Sequence, residues 1–91
     1  MKIIYEEQFK NGLKEIIKYI SQDKPNASTL FKKELKSKFE LLLNNPKMYR
    51  ISIYFNNPAY RDMVYKGYTI IYKIENHTIK VLDIFKWVDK S

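Results

Sequence analysis

The chain opens on Lys2-Ile3-Ile4-Tyr5, whose β-branched and aromatic content predicts a short first strand. Beyond it, Phe9, Leu13, Ile16, Ile17 and Ile20 recur at the spacing of one helical face, with Lys10, Lys14, Glu15 and Lys18 turned outward. Gly12 lies inside this helix and weakens it by about 1 kcal/mol relative to alanine, which tertiary packing must offset. The stretch Ser21–Asn26 breaks the pattern, and Pro25 suits the first position of a second helix, where its missing N–H costs nothing. Ala27, Phe31, Leu35 and Phe39 form a second apolar stripe, widened by Leu30, Leu42 and Leu43. It ends at Asn44-Asn45-Pro46, because a residue before proline is pushed out of the helical region. A short break between two such helices predicts an antiparallel helical hairpin.

From Tyr49 the period changes to two. Ile51, Ile53 and Phe55 alternate with Arg50, Ser52 and Tyr54, the pattern of a half-buried strand. Asn56-Asn57-Pro58 is a turn cluster. Tyr60–Tyr65 then runs into Lys66-Gly67, a hairpin turn in which Gly67 supplies positive φ, and Tyr68–Ile74 follows as a strand. After the tight turn Glu75-Asn76-His77, the run Ile79–Trp87 is apolar on both faces for most of its length, which predicts an interior strand. The predicted order is an N-terminal strand, an antiparallel helical hairpin, and a four-stranded antiparallel meander. That is a two-layer α+β domain in which the hairpin covers one sheet face. The other face, at least partly bare, is where function is expected.

At 91 residues the chain has room for one core, and a single domain over 1–91 is expected. The absence of cysteine removes disulfides, thiolate zinc sites and thiol nucleophiles, and one histidine cannot build a zinc site, which leaves only oxygen-ligand metals; no metal-ligand spacing occurs, and no metal or other cofactor is expected. His77 reads as a surface turn residue. With two glycines there is no Gly-rich phosphate loop, and no apolar run approaches a membrane span or signal-peptide core, so a cytoplasmic protein is expected. Seventeen Lys and Arg against ten Asp and Glu leave a formal charge of +7, compatible with a phosphate backbone or an acidic protein partner. Because fifteen of the seventeen are lysines with A/T-rich codons, charge alone does not decide between partners. Lys32, Lys33, Lys36 and Lys38 read as solvated side chains on the outer face of the second helix.

Several short patterns in this order resemble the RelE/ParE superfamily of bacterial toxins from type II toxin–antitoxin systems. Leu13–Ile20, Pro25-Asn26-Ala27, then Phe31, Leu35, Phe39 and Leu42 before Asn45-Pro46, resemble the paired helices of the ParE-like branch. Tyr60-Arg61, Gly67–Ile74 and Ile79–Ile84 are similar to the superfamily's arginine strand, glycine-tyrosine strand and hydrophobic last strand.

The resemblance implies a growth-inhibiting toxin neutralised by a cognate antitoxin that presents an acidic or amphipathic segment. Two actions are known in the superfamily: RelE-like cleavage of messenger RNA on the ribosome without metal, and ParE-like poisoning of DNA gyrase. Metal-free cleavage needs a base, cations around the phosphorane and an acid for the leaving oxygen. Arg61, Lys86 and Tyr72 are the candidates here. Against this, Met63, Thr69 and Trp87 stand where the resemblance leads one to expect further basic groups, and no late tyrosine follows. The departures favour the ParE-like reading, with the ribonuclease as the alternative and a non-catalytic RNA-binding module as a third. Candidate contacts to target or antitoxin are Arg50, Arg61, Lys66, Lys73, Lys86 and Trp87. Arg61, suited to bidentate anion binding, is expected to lead them from the bare sheet face.

Overall fold

The computed structural model describes residues 1–86. The candidate Trp87 lies outside them. Strand β1 (Lys2–Tyr5) leads into helices α1 (Glu7–Asp23) and α2 (Pro25–Asn44), followed by strands β2 (Arg50–Ile51), β3 (Tyr60–Tyr65), β4 (Tyr68–Glu75) and β5 (Thr78–Lys86). They form one sheet in the order β1-β5-β4-β3-β2. The meander β2 to β5 is antiparallel as expected. The N-terminal strand pairs in parallel with β5 and makes it an interior strand, which explains its apolar character on both faces.

The helices form where the stripes predict. Pro25 occupies the first turn of α2, and the helix ends at Asn44 with the Asn45 N–H bonded to the Leu41 and Leu42 carbonyls before Pro46. Phe31, Leu35, Phe39 and Leu42 of α2 are buried with Phe9 of α1, and Leu13, Ile16, Ile17 and Ile20 pack against this cluster. The sheet contributes Met63, Tyr65, Ile70, Tyr72, Ile79, Val81 and Ile84. In β5 these last two are three residues apart and still face the same layer. The register slips between Ile71 and Tyr72, so Leu82 is an extra residue between the partners Val81 and Asp83. Such a bulge restores the inward parity that strict alternation would lose.

Gly12 has a packing reason that periodicity does not reveal. A Cβ there would sit 3.1 Å from both the Cγ2 and the carbonyl oxygen of Ile84, so glycine lets α1 lie close on β5. The hairpin turns match their chemistry: Lys66 (φ 48°) and Gly67 (φ 81°) join β3 to β4, and Asn76 (φ 53°) helps join β4 to β5.

Two tyrosine hydroxyls tie loops and helices to the sheet. Tyr72, fully buried, donates to the Pro46 carbonyl at 2.7 Å. Tyr65 donates to the Glu34 carboxylate of α2, with Lys38 and Lys66 over its ring at 5.0 and 5.6 Å. Burial pushes Tyr65 up to about 12, reinforced by the hydrogen bond to and the charge of Glu34. Burial also pushes Tyr72 up to about 12, against the lowering influence of the Arg61 guanidinium.

The expected half-buried strand over Arg50–Phe55 is the main departure in the fold. Only Arg50 and Ile51 pair as strand, opposite Asp62 and Arg61, and Ser52 adds one bond to the Tyr60 carbonyl. The Ile53 N–H then turns to the Asp62 carboxylate at 3.0 Å. The ladder has little to continue onto, because Pro58 has no N–H to give and its carbonyl is taken by Arg61.

Two stability tests follow from this packing. Replacing Gly12 with valine overpacks the contact with Ile84 and should destabilise by about 1–3 kcal/mol in urea unfolding, although valine is no worse a helix former than glycine. Because the folded pKa values of Tyr65 and Tyr72 lie above the ordinary 10.0, their contribution is complete below about pH 10 and disappears as pH rises toward 12. The urea midpoint should therefore fall over that window, and the fall should be shallower in a Tyr65→Phe, Tyr72→Phe double variant.

Candidate functional site

Alternation along β3 decides which face each candidate occupies. Met63 and Tyr65 belong to the helix-covered core, so Arg61, two residues before Met63, is on that side too, opposite Tyr72. The expectation that Arg61 stands on a bare face is therefore corrected. Its Nε donates to the Pro58 carbonyl at 3.0 Å and its Nη1 to the Tyr49 carbonyl at 3.1 Å. By giving one N–H to each of two loop carbonyls, the guanidinium pins the segments on either side of β2.

The second sheet face carries Tyr60, Asp62 and Val64 of β3 and their partners Lys73, Ile71 and Thr69 of β4. It is not bare. Residues 52–57, here called the strap, leave β2 and cross over it. The Tyr54 ring reaches Phe85 of β5 edge-on at 5.3 Å, and Phe55 stacks on Tyr60 at 4.1 Å and 14°. Beneath the strap Thr69 is fully buried, Asp62 is 2% exposed and Ile71 5%. Asp62 holds the strap through its bond to the Ile53 N–H, and Arg50 Nη2 approaches the same carboxylate oxygen at 3.5 Å. The other oxygen, Asp62 Oδ1, and the Thr69 hydroxyl are buried and have no hydrogen-bond partner among the described residues.

The remaining candidates are scattered. Lys73 faces out from β4 over the Tyr60 ring at 5.2 Å and pairs with Glu75 at 3.4 Å, while Lys80 reaches Glu75 at 3.6 Å. The hydrogen bond to Glu75 raises Lys73, and its counterpart lowers Glu75. Lys66 sits at the hairpin tip, 3.7 Å from Glu34 of α2. Lys86 pairs with Tyr68, four positions along β4 from Tyr72 and so about 13 Å away. Arg61 and Tyr72 come together, but Lys86 does not join them. Tyr72, buried and raised, is poorly placed to give up a proton near neutral pH.

A second feature was not foreseen. Between the helices lies an apolar groove of about 280 Å³, floored by Tyr5, Phe9, Leu13, Leu35 and Phe39 and rimmed by Lys10, Lys32 and Lys36. Tyr5, Phe9 and Phe39 form an aromatic trio with ring centroids 5.4–5.7 Å apart. Sequence reading placed these lysines on solvated outer faces. The available signal was their adjacency to stripe residues: Lys10 beside Phe9, and Lys36 beside Leu35. Among the described residues no cluster of histidine, cysteine or carboxylates could hold a metal ion, and no helix is long and apolar enough to cross a membrane.

Residues 3–86 match the family model for the ParE toxin of the type II toxin–antitoxin system parDE. A solved structure described as the chromosomal ParDE toxin–antitoxin system from P. aeruginosa superposes with a TM-score of 0.78 at 14% identity, covering 97% of each chain. At that identity the likeness speaks for the fold. No curated protein matches significantly.

The assignment of Arg61 to loop pinning makes a measurable claim. Arg61→Ala should lower stability by about 1–3 kcal/mol in urea unfolding, the range for lost charge-assisted hydrogen bonds. Arg61→Lys should recover only part of this, because an ammonium cannot reproduce the fork that serves both carbonyls.

Proposed function

The chain belongs to the family of ParE toxins of type II toxin–antitoxin systems, and on that premise we propose that it stops growth by poisoning DNA gyrase. Its cognate antitoxin restrains it by seating an acidic amphipathic segment in the lysine-rimmed groove. The single observation that carries the partner reading is that groove: an apolar floor for two or three large side chains, ringed by three cations. A segment with apolar residues on one side and carboxylates flanking them satisfies both features, with the ammonium groups steering its approach. Ordering such a segment on binding costs a few kcal/mol, which burial against Phe9, Leu35 and Phe39 offsets.

Action by binding fits the sheet better than RNA cleavage does. Arg61 is committed to the Pro58 and Tyr49 carbonyls, Tyr72 to the Pro46 carbonyl, and Lys86 lies at the other end of β4. Transition-state stabilisation needs preorganised groups aimed at one reacting centre. Arg50, Lys66 and Lys73, with their side chains reaching solvent, remain candidates for contact with the target.

Induced expression of the chain should arrest growth, and co-expression of the small gene beside it should restore growth. Purified toxin should inhibit gyrase supercoiling and leave transcripts whole; transcripts cut on translating ribosomes, with supercoiling unaffected, would overturn the gyrase reading. Reversing charge at the groove, Lys10→Glu with Lys36→Glu, should weaken the antitoxin complex by about tenfold or more in calorimetry. Growth arrest by the same variant should persist and resist rescue.

A further inference from the structure

The outer surface of the strap has no role in the account so far, and its composition asks for one. Ile53 is 60% exposed, Tyr54 46% and Phe55 39%, and Val64 on the same sheet face is 49% exposed. Tyr54 and Phe55 each spend one ring contact on closing the face over Thr69 and Ile71, and the rest of their surface, with Ile53 and Val64, is left in water. Neighbouring apolar side chains left exposed on a folded surface mark a contact site.

The structure also indicates what covers them. The strap is held in one place, by the Asp62 carboxylate on the Ile53 N–H, by Tyr54 against Phe85 and by Phe55 on Tyr60, so it offers a preformed surface. Both aromatic rings already have ring partners, and the rest of the patch is aliphatic, which is a poor platform for stacking nucleobases. Arg50, paired with Asp62, and Lys73 and Lys80, which share Glu75, stand at the margin, three cations against two carboxylates. A second copy would bring these cations, and a chain of formal charge +7, against their like.

We propose that Ile53, Tyr54, Phe55 and Val64 form the surface with which this toxin grips its cellular target. The occupant is a protein surface with an apolar centre and carboxylates at its edge. The proposal rests on the reading of the chain as a toxin and is independent of which protein is poisoned. It also separates two functions in space: the inhibitor sits in the groove of the helical layer, and the target meets the opposite side of the sheet.

Ile53→Asp and Val64→Asp place carboxylates at positions already in water, so the fold and the groove should be retained. Antitoxin affinity measured by calorimetry, unchanged within about twofold, reports that retention. Growth arrest should require about tenfold more inducer for each variant, as for loss of a central contact residue, and the double variant should be harmless. Variants that keep both antitoxin affinity and full growth arrest would overturn the proposal. If the wild-type chain arrests growth without touching gyrase, the gyrase reading fails while this test stands. A wild-type chain that never arrests growth removes the toxin reading and the proposal together. Sedimentation showing a wild-type dimer that the aspartate variants dissolve would assign the patch to a second copy. Binding of a fluorescent single-stranded RNA, lost in the same variants, would assign it to nucleic acid. Either result overturns the proposal.

Discussion

The parity of β3 is the constraint on which the rest of this structure depends. Once Met63 and Tyr65 are committed to the core, Arg61 must follow them inward and Tyr60, Asp62 and Val64 must face the other way. Arg61 thereby lies on the helix side of the sheet and braces the loops around β2. Asp62 becomes the anchor on which the strap is hung. A single shift of register would exchange those roles, moving the guanidinium under the strap and the carboxylate into the apolar layer between sheet and helices, away from Arg50 and the Ile53 N–H.

The strap changes what kind of molecule this is. A two-layer domain with one naked sheet face would offer a broad platform for RNA or an added strand. Here a short segment with aromatic side chains closes that face, producing a small second core over Ile71 and Thr69. The buried Asp62 is engaged through one oxygen by the Ile53 N–H and the Arg50 guanidinium, which ties the strap to β3. The aromatic pairs Tyr54–Phe85 and Phe55–Tyr60 add ring contacts to that tie.

Chemistry is divided between the two sides in a way that suits a restrained poison. On the helical side, lysines surround an apolar groove. On the strap side, aliphatic and aromatic groups lie among cations that are partly neutralised by Glu75. Among the described residues, Arg61 and Tyr72 lie together while Lys86 stands at the other end of β4. Residues 3–86 place the chain in the ParE toxin family.

Local chemistry in the sequence determined the helices, their ends at Pro25 and Pro46, the inward stripes, the two hairpin turns and the interior character of β5. Each depends on spacing within one element or on the backbone of one residue, so a linear reading reaches it. Tertiary structure alone decided the parallel pairing of β1 with β5, the bulge at Leu82, the need for glycine at Gly12, and the fate of Arg50–Phe55. In that last segment the period of two was real, but a carboxylate nine residues on took the Ile53 N–H and turned the chain across the sheet. The groove was hidden for the same physical reason. Lys10, Lys32 and Lys36 look solvated on their own helices, and they surround one cavity only because the two helices are packed side by side.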